Sequence, residues 1–419
     1  MKYVIIGIGA AGMTAAKTLR ELAPEDEIVM ISVDEKPHSR CMLHKYLSHE
    51  RDEDGLNFVP SDFFEKNRIT QAAGQRVEKL DTEKKQVICD KGFVCSYDKL
   101  LIATGAESFI PPVGALRTAP NVFGLRHLSD AKAIDKCAEN AQKVVIIGSG
   151  LVGLDAAYGL LEQKKDIVIV EMADRILPIQ LDETGAAQYQ KLFEQAGCQF
   201  RLGRRGADTV CNDAGEVTHV VLDDGEKLSC DLVIVAAGVR SAVAGFEDSG
   251  ILIDRGIQVN DYLETSVKDV YAAGDVTGLS GIWPNAQKQG KIAAQNMVLG
   301  NKYQYEDRFA AKNTINFFGL VSLCVGKLNP EEGDEVIARE AANQYQRAIF
   351  TDNKLAGFLQ QGDISHDGIY QYLIKNQIDL SDKKDRIFSL SFGDFYGVKE
   401  YGEYSWTSSP CFFTPPFIS

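Results

Sequence analysis

Tyr3-Val4-Ile5-Ile6-Gly7-Ile8-Gly9-Ala10-Ala11-Gly12 and, about 140 residues on, Val144-Val145-Ile146-Ile147-Gly148-Ser149-Gly150-Leu151-Val152-Gly153 decide how this chain reads. In each, a short apolar run consistent with a buried strand leads into Gly-x-Gly-x-x-Gly, and a helix-forming stretch follows. Glycines at a strand-to-helix junction allow a tight turn. They also let backbone N–H groups approach a pyrophosphate at the positive end of a helix. One such motif is weak evidence, because a glycine turn can simply join a strand to a helix. Two in matching context predict two dinucleotide sites. A chain that holds two dinucleotides reads as an electron relay, a nicotinamide passing hydride to a flavin.

Working outward from the first motif, Val29-Met30-Ile31-Ser32-Val33 reads as the second strand of its repeat and ends in Asp34-Glu35. A carboxylate there would accept hydrogen bonds from an adenosine ribose, Asp34 being the first choice and Glu35 the second. In the second repeat, Asp166–Val170 is the matching strand and Glu171 ends it. A carboxylate at this place favours a 2′-hydroxyl over a 2′-phosphate, hence NADH over NADPH. Each repeat closes on a further buried strand that runs into small residues: Leu100-Leu101-Ile102-Ala103-Thr104-Gly105 and Val233-Ile234-Val235-Ala236-Ala237-Gly238. Val270-Tyr271-Ala272-Ala273-Gly274-Asp275 is a third run of this kind. Small residues at strand ends let the backbone pass close to a cofactor.

The predicted fold is therefore α/β, with two Rossmann-like dinucleotide-binding domains and a small C-terminal α+β domain. The FAD-binding domain would comprise 1–107 and 243–315, with the NAD-binding domain, 108–242, inserted in it. Residues 316–390 form the C-terminal domain, and 391–419 an aromatic-rich, poorly regular tail. The 419 residues suffice for such a division. No apolar run is long enough to cross a bilayer. Met1-Lys2-Tyr3 leads straight into the first strand, so a cytoplasmic chain is expected. A net charge of −14 argues against nucleic acid and anionic membranes as partners. Nine scattered cysteines contain no Cys-x-x-Cys pair, so reduced thiols and no metal site are expected. His38, His44 and His49 lie close in sequence but lack ligand-like spacing.

Taken jointly, both fingerprints, Ala103-Thr104-Gly105, Tyr271-Ala272-Ala273-Gly274-Asp275 and Trp283-Pro284-Asn285-Ala286-Gln287 resemble the pyridine nucleotide:flavin oxidoreductases. The run from Trp283 is especially similar to that of NADH:rubredoxin reductases and of the flavin part of NADH-dependent nitrite reductases. The resemblance implies FAD held by Gly7, Gly9, Ala11, Gly12, Asp34, Glu35, Arg40, Ala103, Thr104, Gly105, Gly274, Asp275 and Trp283. It implies NADH held by Gly148, Gly150, Gly153, Glu171 and Gly238. Arg40-Cys41-Met42-Leu43-His44-Lys45 is similar to the Arg-Pro-x-Leu-x-Lys of these relatives, in which the lysine pairs with a glutamate beside the flavin. The matching residues here are Lys45 and Asp155, and the shorter aspartate predicts a longer or water-bridged pair. Cys41 replaces the usual proline. Its spacing also matches the redox cysteine of NADH oxidases, NADH peroxidases and CoA-disulfide reductases, but their Ser-Phe-Leu-Ser run is missing, so a packing thiol is the leading reading. The implied function is transfer of electrons from NADH through FAD to a small, rubredoxin-like redox protein or a small-molecule acceptor. The alternatives are an oxidase, peroxidase or disulfide reductase using Cys41, and a flavoprotein interaction subunit of a larger complex. The oligomeric state is left open.

Overall fold

The computed structural model describes residues 1–307, 312–341, 344–398 and 404–406. The strand Lys2–Ile6 is buried over Tyr3–Ile6, as its apolar run requires, and forms the centre of a five-stranded parallel sheet. Glu27–Ile31 and then Ile69–Ala72 lie on one side of it, and Lys99–Ile102 and then Val270–Ala272 on the other. The second repeat copies this plan around Lys143–Ile147. Asp166–Glu171 and Gln199–Leu202 flank it on one side, and Leu232–Val235 and Val122–Phe123 on the other, all parallel. Each repeat also carries a three-stranded antiparallel meander ahead of its closing strand, Val77–Ser96 in the first and Gly206–Ser229 in the second. Strands buried on both faces, with crossover connections, are what the near-continuous apolar runs of the sequence dictate.

The glycine turns sit where the strand ends meet the helices Ala10–Leu22 and Leu151–Glu162. Gly7 has φ +111°, and a Cβ there would lie 2.2 Å from the Ala103 carbonyl oxygen. A Cβ on Gly12 would lie 2.0 Å from the Gly7 oxygen. Gly148 and Gly153 repeat both contacts, against Ala236 and Gly148 at 2.4 and 2.0 Å. The helix Trp283–Leu299 then crosses the first helix so closely that a Cβ on Gly290 would meet the Ala11 oxygen at 2.1 Å.

By packing, the chain divides into two compact units. Both repeats lie in one, Met1–Asp174 with Glu194–Ala310. The other unites Arg175–Phe193 with the described residues that follow Ala311, so this segment leaves the stretch 108–242 to which its sequence position assigned it. Tyr189 shows why: it is fully buried, and its hydroxyl donates to the Leu320 carbonyl at 2.8 Å. This second unit has a five-stranded antiparallel sheet, in the order Lys312–Phe317, Leu320–Gly326, Lys354–Gln361, Gln344–Thr351, Glu335–Ala341, and the helix Gly368–Lys375 packs on it. The described part of the tail carries regular elements. Phe392–Phe395 forms a short 3-10 turn, and Tyr396–Val398 pairs antiparallel with Tyr404–Trp406. The remainder of the aromatic-rich stretch, 399–403 and 407–419, lies outside the described residues.

These contacts separate glycines that the fold needs from those it does not. Gly12→Ala and Gly290→Ala should each lower unfolding stability by about 1–3 kcal/mol, the usual cost of forcing a methyl group into a filled space. Gly150 has φ −70°, and a Cβ added to it would meet nothing within 4 Å. Gly150→Ala should therefore leave the denaturant midpoint unchanged, and an equal loss in all three variants would refute the distinction.

Candidate functional site

The middle glycine of each fingerprint behaves differently from the outer two. A Cβ on Gly9 would meet only Arg40 Nη1, at 3.1 Å, and one on Gly150 would meet nothing. Backbone contacts demand the outer glycines, whereas a Cβ on either middle one would meet no backbone atom within 4 Å. The first turns of both helices also carry N–H groups without intrahelical acceptors. A backbone cradle of this shape suits a pyrophosphate.

The first cradle opens into a cavity of about 390 Å³, lined by Gly7, Gly9, Asp34, Ala103, Thr104 and neighbours. A second cavity, of about 80 Å³, shares Gly9, Arg40 and Ala103 with it. It continues past Ala11, Cys41, Gly105, Gly274 and Asp275 to Trp283. Together they make an elongated site that follows the cofactor residues expected of the first repeat. Thr104 Oγ1 donates to the Ala242 carbonyl at 2.7 Å, which fixes the turn after the strand Lys99–Ile102. Gly105 and Gly274 take φ of +75° and +85°. Trp283 opens its helix and meets Phe58 edge to face at 4.7 Å. Buried Arg40 Nε has no hydrogen-bond partner among the described residues, and it lies at the wall shared by both cavities. The residues present thus fit an extended, pyrophosphate-bearing cofactor such as FAD.

Charge at this site is organised in pairs. Asp34 Oδ2 accepts from Arg40 Nη2 at 3.0 Å, and Asp275 Oδ2 from Arg126 Nη2 at 2.6 Å. Burial alone would raise the Asp34 pKa, but the hydrogen bond to His127 and the charge of Arg40 hold it below the ordinary value. Glu35 is exposed and lines an outer polar cavity of about 550 Å³. Arg126, His127 and Glu107 were not singled out by the sequence, yet all three line these cavities. At the second fingerprint, Glu171 accepts from the Ser149 N–H and hydroxyl, both at 2.8 Å, and from the Ala173 N–H at 2.9 Å. Gly238 takes φ +97°, and its carbonyl accepts from the Phe109 N–H at 2.9 Å.

Lys45 and Asp155, expected as a longer or water-bridged pair, each make a direct contact elsewhere. Lys45 Nζ binds Glu50 at 2.5 Å, and Asp155 Oδ1 lies 3.4 Å from His44 Nδ1. The cause is local. Lys45 sits in the short helix Leu43–Leu47, after which His49 turns the chain with φ +59°. The Glu50 and Arg51 N–H groups then both bind the Lys45 carbonyl, at 3.0 Å, bringing Glu50 within reach of Nζ. The helix Leu43–Leu47 rests on Leu151–Glu162 at Gly159, where a Cβ would lie 2.7 Å from the His44 oxygen, so His44 faces Asp155. Burial pushes the Asp155 pKa up to about 7, against the pull of Lys45. Burial, then Lys45, pushes His44 down to about 4. Cys41 is open to solvent at the cavity wall, but crowding by protein atoms and the charge of Asp155 raise its thiol pKa. The charges of Arg126 and Arg40 favour the thiolate but are outweighed. The three histidines close in sequence go to separate partners: His38 to Lys36 and Leu128, His44 to Asp155, and His49 to Asp135.

Comparison with known proteins identifies the family. Residues 1–290 match the family model described as pyridine nucleotide-disulphide oxidoreductase. The assimilatory nitrate reductase electron transfer subunit of Bacillus subtilis is 32% identical, over 92% of this chain and 51% of its own length. The chain thus spans about half the length of that relative, and also of the B. subtilis nitrite reductase it matches. An NADH oxidase of Methanocaldococcus jannaschii is 33% identical over 71% of this chain and 70% of its own. Among solved structures, NADH:rubredoxin oxidoreductase from Clostridium acetobutylicum superposes with a TM-score of 0.75 at 25% identity, covering 91% of this chain and 97% of that one. No helix among the described residues is long and apolar enough to cross a membrane. With its two open glycine cradles and a family model matched over most of its length, the chain belongs to the pyridine nucleotide-disulphide oxidoreductase family, whose cofactors are FAD and NAD(H).

Proposed function

We propose that the chain takes hydride from NADH at the second fingerprint and passes electrons, through FAD at the first, to a small redox protein. The observation that carries this reading is the pair of middle glycines, Gly9 and Gly150, where an added Cβ would meet no backbone atom, at Gly9 only the Arg40 side chain. When bound, FAD accepts two electrons together and releases them one at a time. The chain's own residues bind and orient. The first helix presents its N-terminal N–H groups to a pyrophosphate, with Arg40 beside them. Asp34 addresses the adenosine ribose, and Asp275, steadied by Arg126, the ribityl chain. Relatives named as an NADH-rubredoxin oxidoreductase and a nitrate reductase electron transfer subunit support a protein acceptor.

A second reading, an oxidase, peroxidase or disulfide reductase that uses Cys41, draws on the position of Cys41 in the cavity wall and on the NADH oxidase relative. The raised thiol pKa weighs against it. Anaerobic NADH titration followed by a panel of oxidants separates the two. The leading reading expects two electrons per FAD in both the wild type and Cys41→Ser, with rubredoxin-type acceptors reoxidising the flavin faster than oxygen, peroxide or disulfides. Four electrons in the wild type and two in Cys41→Ser would instead establish a second redox centre.

The carboxylate of Glu171 sets the choice of nicotinamide cofactor in this account. Glu171→Gln removes the charge and keeps an acceptor for Ser149. The preference for NADH over NADPH should narrow about tenfold, the ~1.4 kcal/mol of one partly screened like-charge contact. A wild type reduced faster by NADPH would contradict the assignment.

Asp155 gives a pH-dependent test. Its folded pKa, about 7, lies above the ordinary 3.8, so the folded state binds the proton more tightly than the unfolded one. Ionisation therefore costs stability as pH rises from 3.8 through 7. Asp155→Asn should be more stable than the wild type at pH 8, with the difference vanishing near pH 4. A pH-independent difference in denaturant midpoints would show that Asp155 is not held in this way.

A further inference from the structure

His127 stands where three charged residues from separate parts of the chain converge. Its Nε2 lies 3.0 Å from Glu107 Oε2, in the strand Ala106–Ser108. Its Nδ1 lies 3.4 Å from Asp34 Oδ1, just beyond the strand Glu27–Ile31. Arg40, from the turn Arg40–Met42, holds the other oxygen of Asp34, and its Nη2 lies 3.5 Å from His127 Nδ1. The backbone of His127 is fixed independently, because Asp130 Oδ2 accepts from the Arg126 and His127 N–H groups, both at 2.8 Å. The ring is thus held at the start of the helix Leu128–Ala138 and pointed at two carboxylates. Each ring nitrogen has a carboxylate oxygen within reach, so a doubly protonated imidazole donates to both acids, and the Arg40 guanidinium beside Nδ1 opposes it.

We propose that His127 is a positioning residue for the adenosine half of the FAD held by the first fingerprint: its imidazolium bridges Asp34 and Glu107 and steadies Asp34 for the ribose. The proposal rests on the flavin reading above. Electrostatics supply the reason. The main cavity is lined by Asp34, Glu107 and Glu247 against Arg40 and Arg76, leaving carboxylates in excess at a site meant for a pyrophosphate dianion. A proton on His127 balances them. The imidazolium and Arg40 share Asp34 from its two oxygens, so the carboxylate cannot swing. Its remaining lone pairs are available to ribose hydroxyls.

The neighbouring groups agree with this division of charge. Burial opposes a proton on His127, but the hydrogen bonds to Asp34 and Glu107 outweigh it and push the pKa up to about 9. Arg40 opposes the proton, while Arg76, close to Glu107, helps to keep that carboxylate ionised. Arg126 is spent on Asp275. His38 on the same wall is fixed in the neutral form. Its Nδ1 donates to the Lys36 carbonyl at 3.3 Å and its Nε2 accepts the Leu128 N–H at 3.2 Å, and burial lowers its pKa. Of the two histidines on this wall, one is therefore held neutral and the other charged.

The test is the dissociation constant of FAD, measured by fluorescence quenching on the full-length chain after release of its flavin, from pH 6.5 to 9.5. Wild-type affinity should fall about tenfold across this range, the loss of one charge-assisted contact. His127→Gln should bind at the weak level throughout, with a flat profile. His127→Arg, which keeps a permanent charge, should bind at the strong level throughout. Glu107→Gln, which removes one anchor and leaves the ring, should move the wild-type midpoint to lower pH. Parallel pH profiles for the wild type and His127→Gln would overturn the proposal, as would failure of His127→Arg to restore affinity while its melting temperature matches the wild type. A wild type that binds no FAD at any pH would overturn the flavin reading beneath it.

Discussion

Backbone-to-backbone contact at the two glycine turns is the constraint from which the rest follows. Gly7 against Ala103 and Gly12 against Gly7 bring the first helix so near the strand ends that no side chain fits between them. Gly148, Ala236 and Gly153 do the same in the second repeat. With the helix set this close, its unpaired N–H groups face the crevice at the carboxyl ends of the strands, where open α/β sheets take their ligands. Gly290 against Ala11 then fixes the helix Trp283–Leu299, which delivers Trp283 and Ala286 to the far end of the same crevice. The turns and the shape of the crevice are one geometric consequence.

Charge does what shape alone does not. The cavity walls hold their carboxylates in ion pairs, Asp34 with Arg40 and Asp275 with Arg126, so each acid is placed rather than mobile. Glu171 is placed by backbone and hydroxyl donors instead, and it also braces the fingerprint turn at Ser149. Near Cys41 the balance differs. Asp155 and His44 are both pushed toward their neutral forms, while Lys45 turns to Glu50.

What the sequence made legible was local. Apolar runs of four or five residues followed by spaced glycines mark strand, turn and helix within a dozen residues, and both sheets follow from them. The places of Asp34 and Glu171 at the ends of second strands were legible because their distance from the glycines is set by one helix and one strand. The identity of the partner of Lys45 was not, because Glu50 reaches it only through the turn at His49, a feature of backbone conformation. His127 was hidden for a different reason. Asp130, three residues on, marks a helix start, yet Asp34 lies 93 residues away and only the folded chain brings the two together. The segment Arg175–Phe193 reads as part of the second repeat by order alone, whereas its apolar face, with Tyr189 and Phe193, belongs to the core of the other unit.

The central claim is that the two fingerprints hold two different dinucleotides. It is tested most directly by a crystal structure of the purified yellow protein soaked with NAD⁺. The account predicts FAD density running from Asp34 past Gly9 to Trp283, and a separate nicotinamide dinucleotide with its pyrophosphate at Gly150 and its ribose at Glu171. A flavin at the second fingerprint, or NAD⁺ in the cavity of the first, would contradict it.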